Sequence, residues 1–149
     1  MDWENVQKDV QTTFPDVRRL APDTLIQWFE EDGGRPVRIV DVRAKEEFDI
    51  SHLTGARHWD GAAESESAPG GVGLDDRVVV YCAVGYRSSA AVRTLQDMGY
   101  TDVYRLDGDL FGWVNAGRAV VKDSEPVDKA HPFNRRWGEL LRPDSRADS

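Results

Sequence analysis

Cys82 is the only cysteine in the chain, and the residues after it are those on which chemistry can be built. The stretch reads Cys82-Ala83-Val84-Gly85-Tyr86-Arg87-Ser88-Ser89. A thiol acts as a nucleophile only as its thiolate. The β-preferring run Val78-Val79-Val80-Tyr81 leads directly into Cys82. After it, Ala91, Val92, Leu95 and Met98 recur at three- and four-residue spacing, which predicts a helix from Ser88 to about Met98. The sulfur therefore belongs to a strand-to-helix turn, where unpaired amides and the positive end of a helix favour an anion. The expectation is a thiol that ionises more easily than an ordinary one, cradled by the amides of Ala83 to Ser88. A lone cysteine is more often a small buried hydrophobe. The position of Cys82 after the apolar run, not within it, favours the reactive reading.

Two roles stand open for Arg87. It contacts a donor anion, or it braces the loop by pairing with a carboxylate such as Asp41, which the bidentate geometry of guanidinium and carboxylate favours. Arg43 is either structural or a source of positive charge at the rim. Gly85 permits a left-handed turn, and Ser88 is read as the helix N-cap.

The elements that hold this turn follow from pattern. Residues 1–15 suggest a peripheral helix around Val6, Val10 and Phe14. Val17 to Leu20 is a short strand. Pro22-Asp23 starts a helix with Leu25, Ile26, Trp28 and Phe29 on its apolar face, and Gly33-Gly34 ends it. Val37 to Val42 is a strand that finishes at Asp41-Val42-Arg43. Lys45 to Asp49 makes a turn or two of helix, and Leu53 to His58 a further short strand. The stretch 60–73, small, polar and glycine-rich, reads as a flexible loop containing the solvated Glu64-Ser65-Glu66. Asp102 to Leu106 is the last strand, and Leu110, Phe111 and Trp113 sit on a short helix. Trp137, Leu140 and Leu141 form an apolar stripe that would dock a C-terminal helix. Pro143 to Ser149 is expected to be loose.

Strands alternating with helices define an α/β domain with a central, largely parallel sheet and helices on both faces. Ligands of such sheets bind beyond the carboxyl ends of the strands. Asp41 and Cys82 both end strands, so their loops belong on one edge.

The bulk numbers narrow the function. A chain of 149 residues is one domain by length. A net charge of −8 argues against nucleic acid and against anionic membranes. One cysteine cannot form an internal disulfide and suits a reducing cytoplasm. The opening Met1-Asp2-Trp3-Glu4-Asn5 is not read as a signal peptide, and no apolar run approaches transmembrane length. His52, His58 and His131 match no metal-ligand spacing. The tryptophans at 28, 59, 113 and 137 are read most simply as core.

Three segments carry a family resemblance. Cys82 through Ser88 resembles the active-site loop of rhodanese-like sulfurtransferases: cysteine, two variable residues, glycine, one variable residue, arginine, then serine or threonine. Asp41-Val42-Arg43, Glu47-Phe48 and His52-Leu53-Thr54-Gly55-Ala56 resemble the family's upstream run. Leu106 to Trp113 resembles its downstream segment. The resemblance implies a rhodanese-like fold of about five short strands, over residues 17–118. Residues 1–16 would be an N-terminal extension and 119–149 a C-terminal one. It also implies a mechanism: the Cys82 thiolate takes sulfane sulfur from thiosulfate or a persulfide, and the Cys82 persulfide passes it to cyanide or to a thiol, such as glutathione or a thioredoxin-like protein. No metal or organic cofactor is implied. Ala83, Val84, Gly85, Tyr86, Arg87 and Ser88 would bind substrate, with Asp41 and Arg43 in support. The alternatives are a sulfur carrier or binding module without turnover, and a small-oxyanion phosphatase or arsenate reductase. The related phosphatases use a loop one residue longer, which counts against the latter.

This sequence departs from the family's usual pattern in places. Ala83 and Val84 are apolar where several thiosulfate-active members carry basic residues, which suits a persulfide or protein-bound donor. Ser51 stands for a usual glycine, Thr54 for a proline, and Asp109 for a second glycine.

Overall fold

A computed structural model describes residues 2–31, 34–59 and 67–147. The chain runs α1 (Trp3–Thr13), β1 (Arg19–Leu20), α2 (Pro22–Glu30), β2 (Val37–Asp41), α3 (Lys45–Ile50), β3 (Arg57–His58), β4 (Arg77–Tyr81), α4 (Tyr86–Asp97), β5 (Asp102–Leu106), α5 (Asp109–Asn115), β6 (Val120–Lys122), β7 (Glu125–Val127) and α6 (Arg135–Gly138), then a 3-10 turn at Pro143–Ser145. Strands β1 to β5 form one sheet in the order β1-β5-β4-β2-β3, and every pair in it is parallel.

The central strand β4 explains the layering. Val78, Val79, Val80 and Tyr81 are all fully buried, as a parallel strand covered on both faces requires. Side chains alternate along it. Val78, Val80 and Cys82 join Ala91, Val92 and Leu95 of α4 in one apolar cluster. Val79, Tyr81 and Ala83 join Leu25 of α2 and Leu110 and Phe111 of α5 in the other. The sheet thus carries helices on both faces. Tyr81 lies beside Asp41, so the ends of β2 and β4 share the carboxyl edge.

Helix α1 is capped by Asp2, whose carboxylate accepts the Glu4 N–H. It is more than peripheral: Gln7 donates to the Val84 carbonyl at 2.7 Å, and Tyr86 donates to Asp9 at 2.5 Å. Helix α2 ends at Glu30, before the expected Gly33-Gly34, and Gly33 lies outside the described residues. Of the expected loop at 60–73, residues 60–66 lie outside them too. The later part is anchored, with Trp59 donating to the Ser67 carbonyl and Tyr100 to the Val72 carbonyl.

The C-terminal segment departs most from expectation. Strands β6 and β7 form an antiparallel hairpin whose turn places Asp123 and Ser124 at positive φ. Val121 exchanges backbone hydrogen bonds with His52, and Ser51 donates to the Lys129 carbonyl at 2.7 Å. Asn115 holds Leu140 and Arg142 through its side chain. Of the end expected to be loose, residues 148–149 lie outside the described residues, and the part before them is instead bonded to residue 130: Ala130 N–H donates to the Ser145 carbonyl, and Ala147 N–H to the Ala130 carbonyl. Buried Leu141 and Ser145 hold it down.

Candidate active site

The loop after β4 is set by what its carbonyls bond to. Leu110 and Phe111, in the first turn of α5, donate to the carbonyls of Cys82 and Ala83 at 3.0 and 3.1 Å. The Val84 carbonyl accepts from Gln7 and from Arg105. Gly85 then turns the chain with φ +131° and caps α4. A Cβ there would lie 2.5 Å from the Arg105 guanidinium, so the position is closed to larger residues on both conformational and steric grounds. Gly85→Ala is expected to lower stability by about 1–3 kcal/mol, read as a drop in Tm with activity falling in step.

The sulfur of Cys82 receives the Gly85 N–H at 3.1 Å, and the thiol donates to Ser88 Oγ at 3.4 Å. Ser88 Oγ donates in turn to Asp109 Oδ1 at 2.6 Å. That oxygen also accepts the Cys82 backbone N–H at 3.0 Å. Asp109 is fully buried, sits at φ +53°, and pairs with buried Arg105 at 2.7 Å. Ser88 is therefore not the N-cap. It is the third residue of α4, and its hydroxyl is committed to Asp109.

This network reverses one expectation. Burial pushes the Cys82 thiol up, and the Asp109 carboxylate pushes the same way. The Arg87 charge and hydrogen bonds from Ser88 pull it down, and the net is upward. The sequence showed the helix terminus but neither the closed surroundings nor the carboxylate.

Arg87 pairs with a carboxylate other than the expected Asp41. It makes a fork with Glu47, at 2.7 and 3.1 Å. Asp41 is already taken: the side chain of Arg43, two residues on, binds it through Nε and Nη2, and Arg43 also reaches the Ser51 carbonyl at 2.7 Å. Both Asp41 and Arg43 are fully buried, so Arg43 tethers the loop after β2 and places no charge at the rim. Arg87→Gln is expected to leave the buried Glu47 carboxylate uncompensated, costing about 1–3 kcal/mol. Its removal also takes away a charge that favours the thiolate, so the pH dependence of Cys82 alkylation should move upward.

Above the sulfur lies a cavity of about 180 Å³, lined by Cys82, Ala83, Val84, Tyr86, Arg87, Phe133 and Trp137. Trp137, read from sequence as core, is part of this wall. It meets Tyr86 edge-on at 6.2 Å. The Arg87 guanidinium lies 5.0 Å from the Phe133 ring centre. Sequence reasoning also missed Gln7, Arg105 and Asp109 as members of the site. For Asp109 a signal existed, a carboxylate where the resemblance expects glycine. For Gln7 and Arg105 none did.

A cysteine in an amide turn at the carboxyl edge of a five-stranded parallel sheet defines a class, and the comparisons agree with it. The Rhodanese-like domain model matches residues 21–116, and the chain belongs to that family. It is a rhodanese-type sulfurtransferase. Thiosulfate sulfurtransferase GlpE of Pseudomonas aeruginosa is 32% identical over 108 residues, covering 72% of this chain and 94% of that one. The polysulfide-sulfur transferase of Wolinella succinogenes, a homodimer in solution, matches in fold with a TM-score of 0.60 at 21% identity, over 89% of this chain and 93% of that one. The human single-domain sulfurtransferase TSTD1 matches with a TM-score of 0.54 at 24% identity, over 66% of this chain and 96% of that one. Among the described residues no helix is long and apolar enough to cross a membrane.

Proposed function

We propose that Cys82 is the nucleophile of the transfer and that sulfur travels as its persulfide. The thiolate attacks the outer sulfur of a persulfide or of thiosulfate. The new S–S bond forms at Cys82 Sγ, and the bond to the donor breaks, with its electron pair leaving on the donor thiolate or on sulfite. An acceptor thiolate then attacks the outer sulfur of the Cys82 persulfide and restores Cys82. The observation that carries this reading is the Gly85 N–H on Sγ, at the base of a cavity open to a small donor. A persulfide is more acidic than a thiol, so the intermediate is an anion charged on its outer sulfur, while the Gly85 N–H is bonded to Sγ.

Glutathione or a thioredoxin-like protein is the acceptor we favour, and the cytoplasm the compartment, because the unpaired Cys82 has to be returned to its reduced form after each cycle. Turnover separates enzyme from carrier. With donor and glutathione both in large excess, an enzyme forms glutathione persulfide linearly over many equivalents per Cys82. Product that stops at one equivalent would establish a carrier instead.

A further inference from the structure

We propose that the C-terminal segment makes the Cys82 pocket selective for sulfane-sulfur compounds that carry an apolar organic group, aryl or alkyl persulfides and thiosulfonates, over inorganic thiosulfate. The inference rests on the reading of Cys82 as the sulfur-accepting nucleophile. Among the described residues that line the pocket, Arg87 alone carries a formal charge, and its guanidinium is already forked onto Glu47 and faces Phe133. A dianion entering the pocket would lose its water without gaining an uncommitted cation, which is a costly exchange. The remaining walls are Ala83, Val84 and the rings of Tyr86, Phe133 and Trp137. A cavity of about 150 Å³ with apolar walls takes up benzene, so the 180 Å³ here has room for one ring or a short alkyl chain.

The aromatic wall is built with some care. Phe133 stands at φ +68°, a conformation that residues with a Cβ adopt only under constraint. It is held there by its N–H, which donates to His131 Nδ1 at 2.9 Å, and by the turn that bonds Asn134 N–H to the Pro132 carbonyl. Asn134 then caps α6 by accepting the Trp137 N–H. Gly138 lets α6 lie against Pro132, since a Cβ there would approach the proline ring to 2.8 Å. Phe133 and Trp137 are thereby fixed relative to each other. Both lie beyond residue 116, where the family match ends, so these two rings of the wall come from outside the matched domain.

The chemistry balances with a thiosulfonate as with a persulfide. Cys82 thiolate bonds to the terminal sulfur, the sulfonyl–sulfur bond breaks, and its electron pair leaves on the sulfinate. Benzenethiosulfonate and methanethiosulfonate carry the same charge and the same leaving group type, and differ in the organic group. The test is kcat/KM for sulfur uptake from each, alongside thiosulfate. The expected result is a preference of about tenfold or more for the phenyl donor over the methyl donor, from burial of the ring, with thiosulfate poorer than both. Phe133→Ala and Trp137→Ala should each shrink the phenyl-to-methyl ratio. Equal rates for the two thiosulfonates in the unaltered protein would overturn the inference, a comparison that needs no variant to fold. So would variants that keep the full ratio. Uptake from the methyl donor without a phenyl preference would leave the role of Cys82 standing, whereas no uptake from any donor would overturn that role as well.

Discussion

Replacing Cys82 by serine is expected to leave a folded protein whose sulfur transfer has fallen by a thousandfold or more. The size of the loss follows from chemistry. A serine hydroxyl is far harder to ionise than a thiol, and removal of a covalent nucleophile elsewhere costs on the order of a millionfold. The expectation of a folded protein follows from geometry. Cys82 accepts the Gly85 N–H and donates to Ser88 Oγ, and a serine hydroxyl can do both. Thermal unfolding and steady-state rates on the same preparation check the two halves. A transfer rate within tenfold of the unaltered protein would remove Cys82 from the reaction.

Substitution of Asp109 is expected to cost the most stability. Its carboxylate is fully buried and serves three donors: the Cys82 N–H, the Ser88 hydroxyl and the Arg105 guanidinium. Arg105 is itself buried, at 2% exposure. Breaking such a pair by removing one partner costs about 3–5 kcal/mol. Asp109→Ala therefore approaches the whole stability of a small domain, about 5–15 kcal/mol, and adds strain at a positive φ. Asp109→Asn is the gentler probe, because asparagine tolerates this backbone conformation and keeps an acceptor for Cys82 and Ser88.

Asp109→Asn also carries a pH prediction. Uptake by the free protein follows the thiolate fraction of Cys82. Burial first and Asp109 second push the thiol up, so uptake should still be rising above about pH 8.5, where an ordinary thiol is half ionised. Removing the carboxylate charge stabilises the thiolate, and the rising limb should move to lower pH. Arg87→Gln should move it the other way. Alkylation rates of Cys82 against pH read both shifts. A shift of the Asp109→Asn limb to higher pH would contradict the assignment of these charges.

What could be read from sequence follows from how local each determinant is. The valine run into Tyr81 is apolar throughout, and such a run in an alternating α/β pattern has few homes other than a central parallel strand. Asp102–Leu106 was legible to the residue, because the Gly99 turn and Asp107-Gly108 bracket it. The start of α4 was misplaced at Ser88. Glycine at 85 carries the cap through its backbone, while the Ser88 hydroxyl is drawn to a carboxylate distant in sequence. The partner of Arg87 was misjudged for a similar reason. Asp41 and Glu47 both precede it on the same edge, and only the three-dimensional structure shows that Arg43 has saturated Asp41. The hairpin at β6 and β7 was hidden because its turn holds Asp123 and Ser124 at positive φ without a glycine to mark it. Phe133 and Trp137 read as ordinary apolar residues, since periodicity separates inside from outside but does not distinguish a core from a pocket wall.

Ser51 and Asp109 show where departures from the family pattern are informative. Each replaces a residue without polar side-chain atoms, and each makes a buried hydrogen bond that a glycine could not. Ser51 ties the loop after α3 to the C-terminal segment. Asp109 ties α5 to the reactive loop.

The central claim, that sulfur travels on Cys82, is tested most directly by mass. The intact protein is incubated with a small persulfide or thiosulfonate donor and freed of excess reagent, and its mass is recorded before and after reduction. The expected result is a gain of one sulfur atom, located at Cys82 by fragmentation, removed by a reducing thiol, and absent from Cys82→Ser. No gain from any such donor, or an equal gain in the serine variant, would contradict the account.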